Sequence, residues 1–385
     1  MINTVFLLGN HIQSLGLARQ LRNYNIDVIL FTDSKYSICR FSNTIKKTYF
    51  FKNEIDLLIK IKQNKSNLHN TLIFPTNDHM VGFLCVNYDE LLKDFFIGIP
   101  HPDIVNIFAD KRNTYRFAAE HNIPFPESHY PLSINDVEEL SGKVNYPVII
   151  KPAIMHVFYK TFSKKAFKCD SPSELIKEVK KIEKKFPVDQ LIIQEFLDGG
   201  AKDLYSYATF SVNGKSIAAL IANRPRQNPM NFGNSTTYAI TSYIPEIKIQ
   251  AEKILELTNY FGLAEVEFMY DKKSKQYKFL EINTRAWKWH SISEGLGFSF
   301  IGKMISYYNE NDLSELKNFD KVTAWVERLT DIAVVIKELF KGNNILKETI
   351  SSYKVSKVYA VWSSKDPLPF LCYIFLSPIL YFKRH

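Results

Sequence analysis

The chain has 385 residues, 46% apolar and 23% charged, with 49 Lys and Arg against 40 Asp and Glu and a formal charge of +9. That composition fills one or more ordinary cores and excludes a disordered, collagen-like or disulfide-stapled chain. The lysines are dispersed, as at Lys177, Lys180, Lys181, Lys184 and Lys185 along one expected helix; this argues against a nucleic-acid footprint and for a solvated face biased toward anionic substrates. Cys39, Cys85, Cys169 and Cys372 form no CxxC pair, which fits a reducing compartment and argues against structural zinc. No basic leader precedes the first apolar run, and no window reaches the roughly 18 apolar residues of a membrane span, so the expected location is the cytoplasm.

In chain order, apolar runs at Thr4–Leu8, Asp27–Phe31, Thr71–Phe74 and Phe95–Ile99 alternate with helix-length polar segments. They predict a parallel α/β layer over residues 1–100. Gly9-Asn10 and Gly16 follow the first run but do not make the GxGxxG pattern of a dinucleotide site, and read as a tight turn that lets a helix pack closely. Asp78 and His79 fall at the carboxyl edge of the third run, where ligands settle on such sheets. A helix is expected over 104–121, a break at Ile123-Pro-Phe-Pro126, and a strand over Val148–Lys151 stopped by Pro152. Then come a lysine-rich helix over 172–186, a strand over Gln190–Phe196, and a hairpin over 204–223 turning at Asn213-Gly214. A helix over 245–261, a further hairpin and a helix over 292–309 complete the body.

That further hairpin carries the sharpest chemistry. Leu263–Asp271 and Gln276–Arg285 flank a polar turn near Ser274, so Glu267 and Glu281 stand opposite each other. Strand alternation puts Glu281, Asn283 and Arg285 on one face. Two carboxylates and an amide oxygen are costly when dry and unpaired. A hard cation such as Mg²⁺ relieves that cost and keeps room for waters or phosphates. A solvated face in which Glu267 pairs with a lysine and Glu281 with Arg285 fits the spacing equally well. Lys151, at the end of its strand, and Lys111, after Asp110, are candidate phosphate contacts, with ordinary surface lysines as the alternative.

Taken together, Ala109-Asp-Lys-Arg112, Tyr146-Pro-Val-Ile-Ile-Lys-Pro152, Ile193-Gln-Glu-Phe-Leu197 with Gly199-Gly200, Glu265-Val-Glu-Phe268 and Phe279-Leu-Glu-Ile-Asn-Thr-Arg285 resemble the ATP-grasp superfamily of carboxylate–amine ligases. Within it they resemble the D-aspartate-ligase-like branch. The likeness covers roughly residues 100–310. It implies an α/β ATP-grasp fold: an N-terminal parallel-sheet domain at 1–100, a catalytic body at 101–310 with a nucleotide lid at about 126–197, and an extension at 311–385. It implies ATP with one or two Mg²⁺ ions, Mn²⁺ being a substitute. Lys111 and Lys151 would contact phosphates, and Gln194, Glu195, Phe196 and Leu197 would cradle adenine, with Glu195 near its amino group. Asp203 would bind ribose; Glu267, Glu281 and Asn283 would ligate metal; Arg285 would face the transferring phosphate or the acyl group.

The segment after Lys151 lacks the glycines of many superfamily lids, leaving His156 and Lys160 either to clamp phosphate or to pack the lid, with Lys164 or Lys165 returning toward the nucleotide. Asn223–Thr237 reads as a polar loop between a strand and a helix, in which Arg224, and less so Arg226, would meet a carboxylate substrate. Trp287 and Trp289 would either wall an acceptor pocket or fill the core. The apolar tail Phe370–Phe382, broken by Pro378 and followed by Lys383-Arg384-His385, is expected to dock on the body or on a homodimer partner. A peripheral contact of 370–385 with the cytoplasmic membrane face is the alternative. The expected reaction joins a small carboxylate, such as an amino acid, to an amine acceptor through an acyl phosphate, with D-aspartate and a cell-envelope precursor as the leading pair. A uronate-amidating or dipeptide-forming ligase and an inactive nucleotide-binding regulator are the rivals.

Overall fold

A computed structural model describes residues 1–65, 70–230, 233, 235–317 and 320–382. It divides into two compact units, Met1–Val105 with Ser206–Glu265 and Asn283–His385, and Asn106–Tyr205 with Val266–Ile282.

Unit one begins with a five-stranded parallel sheet: β1 (Thr4–Leu8), β2 (Asp27–Thr32), β3 (Ile45–Phe50), β4 (Thr71–Pro75) and β5 (Phe96–Ile97), in the order β3-β2-β1-β4-β5. Every residue of β1 is buried, because both faces are covered. Val5 and Leu7 enter one core, while Phe6 and Leu8 enter the other, where Phe6 lies 5.0 Å from Phe31. Such burial contributes about 1.5–3 kcal/mol per large apolar side chain. The edge strand β3, Ile-Lys-Lys-Thr-Tyr-Phe, is half exposed and lacks the apolar run by which its neighbours are legible.

Unit two contains β6 (Ser128–His129), β7 (Val148–Pro152), β8 (Phe167–Cys169) and β9 (Leu191–Glu195), antiparallel in the order β6-β9-β7-β8. Val148, Ile150, Leu191 and Ile193 face the helices Ile134–Ser141 and Pro172–Ile182 through Val137, Leu175, Val179 and Ile182. The register sets Ile149 beside Gln194 and Lys151 beside Ile192, so these four share the opposite face. The helix expected over 104–121 is instead two, Pro102–Ala109 and Lys111–Glu120. Asp110 breaks it by taking an extended conformation and accepting the Arg112 N–H, an N-cap that starts the second helix at Lys111.

The remaining strands are β10 (Leu204–Val212), β11 (Lys215–Asn228), β12 (Ser235–Ser242), β13 (Gly262–Asp271), β14 (Gln276–Asn283), β15 (Leu316–Lys317), β16 (Ala324–Val326) and β17 (Lys357–Tyr359). Unit one orders them β13-β10-β11-β12-β16-β17, with β15 on β11; β14 neighbours β13, and β13 from Val266 on and β14 up to Ile282 belong to unit two. The hairpin at Asn213-Gly214 has positive φ at both residues, 49° and 76°, as a type I′ turn demands. A Cβ on Gly214 would also sit 2.8 Å from Glu256 Cα.

Three further expectations are corrected. Asn223–Thr237 is no loop before a helix: β11 runs on to Asn228 and β12 starts at Ser235, antiparallel to it, while Asn231, Phe232 and Asn234 lie outside the described residues. The helix expected over 292–309 is a 3₁₀ segment, His290–Leu296, and a helix, Phe300–Glu310, separated where Gly297 takes φ 90°. Pro378 does not interrupt the tail, which is helical over Leu368–Phe382; residues 383–385 lie outside the described residues. No described helix is long and apolar enough to cross a membrane.

Candidate active site

In unit two, Lys111 opens its helix with its backbone N–H on the Ala153 carbonyl, 3.2 Å away, just past β7. Its ammonium forms an ion pair with Glu281 of β14. Burial pulls the Lys111 pKa down, but the Glu281 charge, with smaller contributions from Tyr115 and Glu267, outweighs it and raises the pKa above the usual lysine range. Lys111 in turn holds Glu281 down at about 2, against the effect of burial and with help from Lys165 and Lys151. Both partners are therefore charged at neutral pH. Lys151, 9% exposed, donates to the Tyr115 hydroxyl at 2.8 Å, and that hydroxyl donates to the Leu280 carbonyl at 3.0 Å. Burial and the nearby Lys111 charge push the Lys151 pKa well below the lysine range, and Glu281 partly offsets them. Phe125 stacks on the Tyr115 ring at 5.5 Å and fixes its orientation. Three lysines thus surround one ionised glutamate, with Glu267 near enough to act on Lys111. This gathering of lysines around one carboxylate fits a polyphosphate whose negative charge a divalent ion shares.

Gln194 lies on the Lys151 face and donates to Ser128 Oγ at 2.6 Å. Glu195 turns to the other face, where it accepts from the Glu127 N–H at 3.2 Å and from Lys278 at 2.7 Å. Lys278 also meets Asp271 at 3.1 Å. The Phe196 N–H donates to the Pro147 carbonyl at 3.2 Å, the Lys168 ammonium sits 4.9 Å from the Phe196 ring centre, and Leu197 is buried. On the Glu195 side a cleft of about 320 Å³ is lined by Glu127, His129, Tyr146, Lys168 and Phe196, among others. Asp203 accepts from the Gly200 N–H at 3.0 Å and pairs with Lys272 at 3.1 Å. The segment after Lys151 folds into the helix Met155–Phe162; the His156 side chain lies outside the described residues, and Lys160 is exposed. Lys164 lies 5.1 Å from the Phe167 ring, whereas Lys165 is the one whose charge reaches Glu281.

Unit one contains the remaining expected residues. Asn283, two residues beyond Glu281 on β14, donates to Glu265 at 2.9 Å and accepts from Arg285 at 3.2 Å. Arg285 forms a two-pronged pair with Asp78 at 2.6 and 2.9 Å, so the alternative in which it pairs with Glu281 is corrected: Lys111 takes that carboxylate. Glu265, 3% exposed, accepts from Ser206 at 3.0 Å and Trp289 at 2.9 Å, and Arg224 lies 3.6 Å away. Arg226 points into a buried pair with Asp331, at 2.8 and 2.9 Å, and stacks over Tyr238, which is a structural role. Trp287 and Trp289 are core residues. Among the described residues no three His, Cys, Asp or Glu side chains form a metal cage. The expected set, two glutamates and an amide, is of the open kind.

Sequence reasoning missed Tyr115 and Glu265. Each carried a signal: Tyr115 falls one helical turn after Lys111, and Glu265 alternates with Glu267 along one strand.

Comparison with known proteins bears on this geometry. The family model described as "Carbamoyl-phosphate synthase L chain, ATP binding domain" matches residues 110–315. The chain is 21% identical to a D-aspartate ligase of Enterococcus faecium over 299 residues, 72% of this chain and 70% of that one. It is 20% identical to the N-terminal section of a carbamoyl phosphate synthase large chain of Methanopyrus kandleri, covering 69% of this chain but only 48% of that section. In three dimensions it resembles the biotin carboxylase domain dimer of Hydrogenobacter thermophilus 2-oxoglutarate carboxylase, solved with MgADP, ADP and bicarbonate. The TM-score there is 0.66 at 14% identity, covering 84% of this chain and 73% of that one.

Proposed function

Because the chain belongs to the carbamoyl-phosphate synthase L chain ATP-binding domain family and has an α/β ATP-grasp fold with an N-terminal parallel sheet, we propose that it is an ADP-forming ligase joining a small carboxylate to an amine. The single observation that supports this most is the Lys111–Glu281–Lys151 cluster, with Lys165 and Glu267 acting on it. ATP and Mg²⁺ are the corresponding ligands, and the MgADP of the Hydrogenobacter domain supports them. A bound Mg²⁺ would supply charge neutralisation at the phosphates, held by Glu267, Glu281 and Asn283.

In this reading Lys111 and Lys151 are point charges for phosphate oxygens, and Tyr115 keeps the Lys151 ammonium in place. Gln194, Phe196 and Leu197 border the base, with Glu195 and Asp203 near its amino group and ribose. His156 and Lys160 belong to the lid. The carboxylate is activated as an acyl phosphate, the amine displaces phosphate, and no enzyme nucleophile is needed. Arg285 steadies negative charge at the acyl centre, and Arg224 recognises a substrate carboxylate.

The segment boundaries 1–100, 101–310 and 311–385 belong to the same proposal, supported by the family match over 110–315. So does a cytoplasmic homodimer, for which the Hydrogenobacter domain dimer is a precedent. D-aspartate, or another amino acid, joined to an envelope precursor is the favoured substrate pair, and the Enterococcus faecium relative supports it.

A mass-resolved screen of amino acids against candidate acceptors with MgATP should show a condensation product and equimolar phosphate. Glu281→Ala should lower turnover at least about 100-fold while the protein stays folded. MgATP binding with no product from any pair would favour a regulator, and wild-type turnover in folded Glu281→Ala would remove the metal role.

A further inference from the structure

The helix Leu368–Phe382 is apolar on every side, a pattern normally found where a helix is buried all round. Among its described side chains, only one side is covered. Phe370, Tyr373 and Leu376 pack against the unit-one core, and Tyr373 reaches Thr330 of the neighbouring helix Arg328–Phe340. Leu368, Leu371, Ile374 and Phe375 are exposed, Phe375 by 79%. Trp362, 42% exposed, packs edge-on against Phe370 at the same end.

The sequence leading into the helix is basic. From Thr349 to Phe382 it has three lysines, Lys354, Lys357 and Lys365, against one acid, Asp366. That acid is buried and consumed by Arg19, Ser42 and the Asn43 N–H, so it neutralises none of the surface lysines. The acids of the neighbouring helix are taken too, Asp331 by Arg226 and Glu338 by Lys341. The 38–41 turn under the tail helix adds Arg40, which has no carboxylate partner among the described residues.

We propose that the exposed face formed by Leu368, Leu371, Ile374 and Phe375, with Trp362 and the basic residues Lys354, Lys357, Lys365 and Arg40, is an interfacial docking surface for an anionic phospholipid bilayer. The apolar side chains enter the headgroup boundary, the tryptophan sits at its level, and the uncompensated cations meet anionic headgroups. A second copy of this chain is the poorer occupant, because a two-fold contact through this face sets like charge against like. No described helix is long and apolar enough to cross a membrane, so the proposed contact is a peripheral, reversible one. This inference does not depend on the ligase reading.

Flotation of the full chain with phosphatidylcholine vesicles, with and without phosphatidylglycerol, tests it. Binding should require phosphatidylglycerol and weaken with added salt. Ile374→Asn with Phe375→Asn, both exposed, should abolish it without changing the melting temperature. Lys354→Glu with Lys365→Glu should weaken it at least about tenfold, since each basic residue near such a surface contributes about 1 kcal/mol. Equal binding to neutral vesicles, no binding to either, or a concentration-dependent dimer that the Ile374/Phe375 variant disperses would each overturn the proposal.

Discussion

Glu281 sits at the depressed end of the carboxylate range because Lys111 is its partner. Its folded value of about 2 lies below the ordinary 4.5, so the unfolded chain takes up the proton first as acid is added. The pair's contribution to stability is complete above about pH 4.5 and is lost as the pH falls toward 2. His290 behaves differently. It is buried, its ring nitrogen Nε2 is 3.2 Å from the Gln13 carbonyl, and burial lowers it to about 4 from 6.5. Its neutral form belongs to the fold, and on the order of 3 kcal/mol should be lost as the pH falls from about 6.5 to 4. Denaturant titrations across pH should show both slopes, the upper one flattened in His290→Asn and the lower one in Glu281→Gln. At this scale, strand alternation makes the shared face of Glu281 and Asn283 legible. The meeting of Lys111 with Glu281, 170 residues apart, is a tertiary event that no local pattern encodes.

Among the elements, β11, β12 and the helix Arg328–Phe340 are tied together by one carboxylate. Asp331 accepts both prongs of Arg226, the Thr237 hydroxyl at 2.8 Å and the Tyr353 hydroxyl at 3.0 Å, and it is fully buried. Asp331→Ala strands a buried guanidinium and should cost about 3–5 kcal/mol in urea unfolding. This network also explains why Arg226 misleads as a substrate contact in the sequence. A polar run with two arginines looks the same whether its guanidinium faces a ligand or a carboxylate more than a hundred residues later. The apolar strands of the first sheet were readable because both their faces are buried, and β3 was not, because its exposed edge admits lysines. The 104–121 segment kept helical periodicity across Asp110, and only the capping contact shows the break.

For the whole molecule, the α/β class and the N-terminal parallel sheet were legible from the spacing of apolar runs, and the ordered motifs pointed to the superfamily. Substrate identity was not, because recognition depends on side chains from segments far apart in sequence. A ligand that binds only the native state stabilises it by mass action. MgATP at about 100 times its dissociation constant should add about 2.7 kcal/mol to unfolding. Lys151→Ala should remove that gain; an equal thermal shift in the variant would detach Lys151 from phosphate binding.

Asp366 ties together segments far apart in sequence: Arg19, 347 residues earlier, grips its side chain and its carbonyl, and the guanidinium also reaches the Val361 carbonyl. The first sheet leaves the ribosome well before the segment that finishes its flank, which is translated 347 residues after Arg19. Until those arrive, apolar positions around Ile38 and Cys39 stay uncovered. The nascent protein must therefore wait with that sheet half packed, a span in which a chaperone would have something to hold.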